Sequence, residues 1–230
     1  MFVEVNHGPF LLDNNLLLSD ISLRDWSQGG AYAHNLLAGQ IQRRRELTRN
    51  TPYHVAHSTE IKGLANIPSG DNRFFNNLFV GNAKADQHDQ AVQKANADMA
   101  QGFGLWVYDL CEYPSFYGGN VLLNGACPAT SEPASIVKPD FAPGARLMES
   151  ADGFHLVFAR APEGLAAARC LHVTTATLGK ARLPDCPYVN ADGSPLAISV
   201  DYTGKTRDLE NPAPGPFEDL KLGKTDFRVW

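Results

Sequence analysis

"FNNLFVG", residues 75–81, decides how this chain is read, because two near-copies precede it: "DNNLLLS" at 13–19 and "AHNLLAG" at 33–39. Each puts an Asn directly before a short apolar run that ends in a small residue. Aligned on Asn15, Asn35 and Asn77, the steps are 20 and 42 residues, the second being twice 21. A period near 20 residues fits few architectures, and the spaced leucines of a leucine-rich repeat are missing. A right-handed parallel β-helix fits better. Its coils stack, so equivalent residues lie above one another. Asn tolerates a left-handed bend and can bond to the next Asn in a ladder. The apolar residues after it would fill the interior, and Gly39 and Gly81 suit tight corners. The expectation is an all-β chain with coils over 1–84 and Leu16, Leu36 and Leu78 stacked. The competing reading is an ordinary antiparallel sheet with chance likeness among the three copies.

Beyond residue 84 the pattern changes. "DQHDQAVQKANADMAQ", 86–101, holds helix formers and few strand formers, so 85–102 reads as a loop or short helix. From 103 the segments "FGLWVYDL", "GNVLLNG", "ARLMES" and "FHLVFAR" look like strands separated by turn signals such as "ADG" and "NADGSP". The repeat is lost there, so 103–200 reads as an antiparallel β insertion or side sheet. Residues 201–230 read as a C-terminal return or cap.

The 230 residues are 43% hydrophobic and 20% charged, ordinary for a folded domain. The net charge of −5 argues against a nucleic-acid partner. "RRR" at 43–45 reads as a solvated loop. No stretch approaches the roughly 20 apolar residues of a membrane span. The opening "MFVEVNHGPF" lacks the pattern of a signal peptide, which points to the cytoplasm unless the chain is part of something longer. Cys111, Cys127, Cys170 and Cys186 lack zinc-type spacing and read as free thiols, so no metal or other cofactor is expected.

Chemistry points to the first strand. In "FVEVN", alternation places Val3 and Val5 on one face and Glu4 on the other. If the valines face inward, Glu4 projects from a rigid strand, beside Asn6 and His7 of "NHGP". Glycosidases need two carboxyl groups flanking the bond. Asp13, Asp20 and Asp25 are the candidate partners, and a solvated strand Glu is the plain alternative. Trp26 can stack on a sugar ring or pack inside. His54 and His57 can line a groove. Pro52 and the β-branched neighbours argue against the helix that an i, i+3 metal pair would need. Asp71 and Arg73 read as a local turn pair.

"EVNHGPFLLDNNLLLS", "SQGGAYAHNLLAG", "TPYHVAHSTEIKGLANIPSGDNRFFNNLFVG" and "DYTGKTRDLENPAPGPFE" together resemble the C-terminal part of bacterial right-handed parallel β-helix glycoside hydrolases, the β-xylosidases of glycoside hydrolase family 120 above all. The resemblance is strongest at 1–82 and 171–220. It implies a retaining mechanism on β-linked xylose or related sugars, with Glu4 as acid/base. It also implies an Asp nucleophile in an earlier part of the enzyme, so that this portion alone is inactive. The partners implied are a carbohydrate substrate and the N-terminal half of the same enzyme or further copies of the chain. Two other readings compete: a non-catalytic carbohydrate-binding β-helix, and a lyase acting on acidic polysaccharide. A second carboxylate about 5 Å from Glu4 would favour the glycosidase.

Overall fold

The apolar runs are two to six residues long, and each becomes one short strand closed by a bend. The computed structural model describes residues 1–230 apart from 83, 134 and 163. The first strands are β1 (Phe2–Glu4), β2 (Phe10–Asp13), β3 (Leu16–Leu17), β4 (Ile21–Trp26), β5 (Gly30–Ala33), β6 (Leu36–Leu37) and β7 (Gln40–Arg44). A hairpin follows, β8 (Glu46–His54) and β9 (Ile61–Ile67), then β10 (Arg73–Phe75), β11 (Leu78–Val80), helix α1 (Ala85–Lys94) and β12 (Met99–Gly102). Beyond lie β13 (Phe116–Gly118), β14 (Val121–Leu123), β15 (Ile136–Lys138), β16 (Ala145–Ser150), β17 (Gly153–Phe158), β18 (Lys180–Ala181), β19 (Cys186–Pro187) and β20 (Asp226–Arg228).

Successive circuits of the chain lay their strands side by side. One sheet runs β1-β4-β7-β12, a second β13-β10-β5-β2, and a third β15-β14-β11-β6-β3. All these pairings are parallel except β7 with β12. Leu16, Leu36 and Leu78 pair in register, as expected, and the row continues through Val121 to Ile136.

The bend before the third sheet carries the repeat. Asn15 Nδ2 donates to Asn35 Oδ1 at 2.9 Å, Asn35 Nδ2 to Asn77 Oδ1 at 3.0 Å, and Asn77 Nδ2 to Asn120 Oδ1 at 3.1 Å. The backbone N–H of each of these three donates to the same oxygen. Each Nδ2 also reaches a carbonyl of the preceding strand or bend: Asp13, Leu12, Tyr32 and Phe74. One side chain thus satisfies several groups of a buried bend that water cannot reach. The left-handed backbone lies one residue earlier than expected, at Asn14, His34, Asn76 and Gly119.

The ladder corrects three readings. The 42-residue step is a single rung, because Asn35 bonds Asn77 directly; the surplus is the β8–β9 excursion, so 1–84 is not coil throughout. The stretch 103–200 is not antiparallel throughout, since β13, β14 and β15 extend the parallel sheets and Asn120 adds a fourth rung. Beyond residue 103 the antiparallel strand pairs among the described residues are those of β16-β17-β20 and the short β18-β19 pair. "FGLWVYDL" is no strand; Leu105–Tyr108 form a buried 3-10 turn.

Strand alternation divides the apolar residues between two sides. Leu37, Phe79 and Leu122 face the interior with Leu23, Tyr32, Ile41 and Phe74. Tyr32 and Phe74 stack there with centroids 4.7 Å apart. Leu36, Leu78 and Val121 face outward, under Leu156, Phe158, Phe217 and Phe227. The stacked leucines therefore build a second core against β16-β17-β20. A third core joins Ala31, Ala33 and Phe75 to Val173, Leu178 and Tyr188. Arg43, expected in a solvated loop, is fully buried at an inward position of β7. Its guanidinium donates to the carbonyls of Val107, Ala97 and Asn96 at 3.0, 2.6 and 3.0 Å. All four cysteines are free, and Cys170 and Cys186 are buried. Among the described residues no helix is long and apolar enough to cross a membrane.

The ladder ends on Glu132, whose Oε1 accepts from Asn120 Nδ2 at 2.8 Å while Oε2 is buried without a partner. Burial raises the Glu132 carboxyl from 4.5 to about 7, against the lowering effect of the Asn120 bond. A raised carboxyl value stabilises the fold fully below the unfolded value, and that contribution fades as pH rises through about 7. Urea unfolding should show this loss, and Glu132→Gln should flatten it. Asn77→Ala strips partners from four groups and should cost about 3–5 kcal/mol. Asn15→Ala, at the part-buried first rung, should cost about 1 kcal/mol in the same measurement.

Candidate functional site

The chain leaves β1 through Val5, at φ 50°, and turns sharply at "NHGP". Asn6 Oδ1 accepts from the Gly8 N–H at 2.9 Å, and the Asn6 N–H donates to Ser27 Oγ at 3.0 Å on the next circuit. Gly8 is at φ 72° against Gly29, where an added Cβ would lie 2.1 Å from the Gly29 carbonyl oxygen. That close approach sets the turn against the body and opens a cleft of about 910 Å³. Its walls are the turn 4–11, the tip of the β8–β9 hairpin at 51–59, and 186–191 with Leu196.

Five of the six candidate site residues line this cleft: Glu4, Asn6, His7, His54 and His57. Among the described residues Glu4 is its only carboxylate, and its Oε1 accepts from the Arg49 guanidinium at 2.6 Å. Both groups are well exposed, so the pair holds Glu4 in place more than it stabilises the fold. His7 is buried and saturated. Gln28 Nε2 donates to its Nδ1 at 3.0 Å, which leaves Nε2–H to donate to the Thr51 carbonyl at 3.1 Å, with Thr51 Oγ1 at 2.9 Å. Burial holds the imidazole below its ordinary value, so it is neutral at pH 7. His7 therefore fastens the hairpin to the coil end. His54 and His57 are exposed at the hairpin tip, His54 Nδ1 bonding the Thr59 carbonyl at 3.3 Å. Among the described residues no group of three or more His, Cys, Asp or Glu side chains is placed to hold a metal.

Trp26 stands apart. It neighbours Glu4 across the β1–β4 pair, but it lies outside the cleft, edge-on to Phe2 at 5.0 Å and under Arg44 at 4.8 Å. The three Asp candidates also lie outside it. Asp13 Oδ2 accepts from Asn14 Nδ2 at 3.0 Å at the end of β2, and Asp20 is exposed at a bend. Asp25 is fully buried, held by Tyr108 Oη at 2.8 Å, Asn72 Nδ2 at 3.0 Å and the Ser27 N–H at 3.1 Å. Its alternation along β4 turned it into the core. Burial raises its carboxyl to about 6, opposed chiefly by the Tyr108 bond. Asp71 and Arg73 form the expected turn pair at 2.8 Å, but they are buried and reach further. Arg73 donates to the carbonyls of Leu178 and Lys180, and Asp71 accepts from the Arg182 N–H at 2.7 Å.

Sequence reading passed over Arg49, Thr51 and Tyr53. Their signal lay in the alternation of "ELTRNTPYH", but only the fold of the hairpin over β1 gives it meaning. Lys62 Nζ, donating to the Pro184 carbonyl at 2.6 Å, ties the same hairpin to the far wall.

Neither a protein-family model nor a curated relative matches the chain. A solved structure of XylC in complex with xylose does match, at 33% identity and a TM-score of 0.83. The whole of this chain shares its fold with part of XylC. The match covers 100% of this chain and 37% of XylC, so the chain spans little more than a third of that protein's length.

Tyr108→Phe removes the bond that most lowers Asp25. The Asp25 carboxyl, followed by carbon NMR against pH, should then titrate higher than about 6, by on the order of one pH unit. An unmoved titration would show that the bond does not set this value.

Proposed function

We propose that this chain is the C-terminal portion of a retaining glycosidase acting on β-linked xylose or a related sugar, built on a right-handed parallel β-helix. The observation that carries the reading is Glu4, the sole carboxylate among the described residues of the cleft, on a chain that matches the fold of XylC, solved with xylose, over its full length. In this reading Glu4 protonates the leaving oxygen, then deprotonates the water that releases the sugar. Arg49 orients Glu4. Asn6, His54 and His57 face the sugar, and His7 fixes the hairpin wall.

The nucleophile belongs to a preceding coil. Three features support this. No second carboxylate lines the cleft among the described residues. The strands β1, β2 and β3 are the outer edges of their sheets. Asn15 Oδ1, unlike that of each later rung, accepts no bond among the described residues. A further coil with an Asn in register would complete all three. The single carboxylate also suits a second reading, a cleft that binds sugar without cleaving it.

The test compares this chain with the enzyme completed by its preceding coils. Alone, the chain should leave nitrophenyl β-xyloside intact. In the completed enzyme Glu4→Gln should lower turnover of xylobiose by about 10²–10⁴-fold. The loss should be smaller in the first step on the aryl xyloside, whose leaving group departs without a proton. Xylobiose cleaved at the unmutated rate would remove Glu4 from the mechanism. Binding of xylose without cleavage in the completed enzyme would favour the second reading.

A further inference from the structure

The face that α1 turns toward the first sheet carries no large apolar side chain. Lys84, Gln87, His88, Ala91, Lys94 and Ala95 recur there at helical spacing and all line a groove of about 350 Å³. Ala91 and Ala95 pack on the core. A surface helix ordinarily sets Leu or Ile on such a stripe. Small and polar residues leave the space open instead. At 1.5 Å per residue the ten-residue helix gives a groove wall about 15 Å long.

The opposite wall is amide and aromatic. Gln42 Nε2 donates to Gln101 Oε1 at 2.9 Å, and Gln101 Nε2 to Gln40 Oε1 at 2.5 Å. The relay leaves the Gln40 amide N–H₂ with no acceptor among the described residues. Trp106 lies against Gly102, where a Cβ would come within 2.3 Å of its ring, and His88 meets it edge-on at 5.4 Å. The Trp106 indole N–H is buried without a partner. No carboxylate lines the groove among the described residues, while a lysine stands at each end of the helix.

We propose that this groove binds a uronate-bearing oligosaccharide. The lysines suit carboxylate groups. Glutamine amides, which both donate and accept, suit ring hydroxyls. The aromatic wall suits the C–H face of a pyranose. An inorganic anion would use the lysines and leave the amides idle. The proposal names a second site, separate from the Glu4 cleft; choosing a sugar acid over other carboxylates rests on the glycosidase reading.

Calorimetric titration of the full chain with D-glucuronate, a glucuronosyl-xylotriose, xylose and sulfate tests it. Both uronates should bind, the oligosaccharide more tightly. Lys84→Ala and Lys94→Ala, both exposed and checked by circular dichroism, should each weaken the oligosaccharide about tenfold, as loss of a charge-assisted hydrogen bond does. Salt at about 1 M, where the screening length is about 3 Å, should weaken it further. No uronate binding, sulfate bound as tightly as glucuronate, or affinities unmoved by both lysine variants would each overturn the proposal. The titrations need no turnover, so failure of the glycosidase reading is seen separately, in the xyloside assays.

Discussion

A chain that bends sharply inside its own core must satisfy the polar groups of the bend without water. The Asn15–Asn35–Asn77–Asn120 ladder does this, and the rest of the architecture depends on it. The amide oxygens of Asn35, Asn77 and Asn120 each take two bonds from the preceding Asn of the ladder, and each amide nitrogen gives two. The constraint is local and directional, so it fixes which circuit lies on which. It places no limit on what the chain does elsewhere. A hairpin departs between the second and third rungs, and α1 with β12 between the third and fourth, yet the rungs stay in contact.

The residue before each rung faces the other way. Asn14, His34 and Asn76 all adopt the left-handed conformation and hold the C-terminal half. Asn14 accepts from the Arg207 guanidinium at 2.7 Å, His34 Nδ1 bonds the Ala213 carbonyl at 3.0 Å, and Asn76 Nδ2 the Leu171 carbonyl at 2.7 Å. Asn76 Nδ2 also meets His34 Nε2 at 3.1 Å. Burial keeps His34 neutral, its value pushed well below the ordinary one. Arg207 reaches the carbonyls of Val200, Ala213 and Gly215 and pairs with Glu218 at 3.3 Å. The two faces of one bend thus stack the successive circuits of the chain and fasten their cover. Breaking one partner of so buried a cluster would strand the others.

The cleft follows from this arrangement. Residues 186–191 reach it because the outer bonds hold the C-terminal half over the second sheet. The hairpin reaches it because His7 grips Thr51 and Lys62 grips Pro184. Glu4 itself sits on an edge strand, with its side chain pointing away from the core along the cleft wall. The same strand chemistry that buried Asp25 one position away from its neighbours left Glu4 exposed.

Sequence alone determined the repeat, the rows of stacked leucines and the outward placement of Glu4 on "FVEVN", because side-chain alternation and a recurring Asn are properties of the local chain. It read 85–102 as a loop or short helix, and only the structure shows the helix, over Ala85–Lys94. It did not reveal that 42 residues make one rung, that "GNVLLNG" continues the parallel sheets, or that Arg43 and Asp25 are buried. Nor did it reveal that Leu36 and Leu78 face a second core. Those outcomes depend on which strands meet, and a segment's own pattern reads the same whether its partner is parallel or antiparallel. The site divided in the same way. Glu4, Asn6 and His7 are neighbours in sequence and were legible together, whereas Arg49, Thr51 and 186–191 join them only through a hairpin and a cover held by long-range hydrogen bonds. Trp26 lies beside Glu4 in register, but it packs on Phe2 and Arg44, and nothing in its own segment shows that the cleft opens elsewhere. Tertiary structure decided that, because the cleft lies where the hairpin, the turn and the C-terminal cover converge.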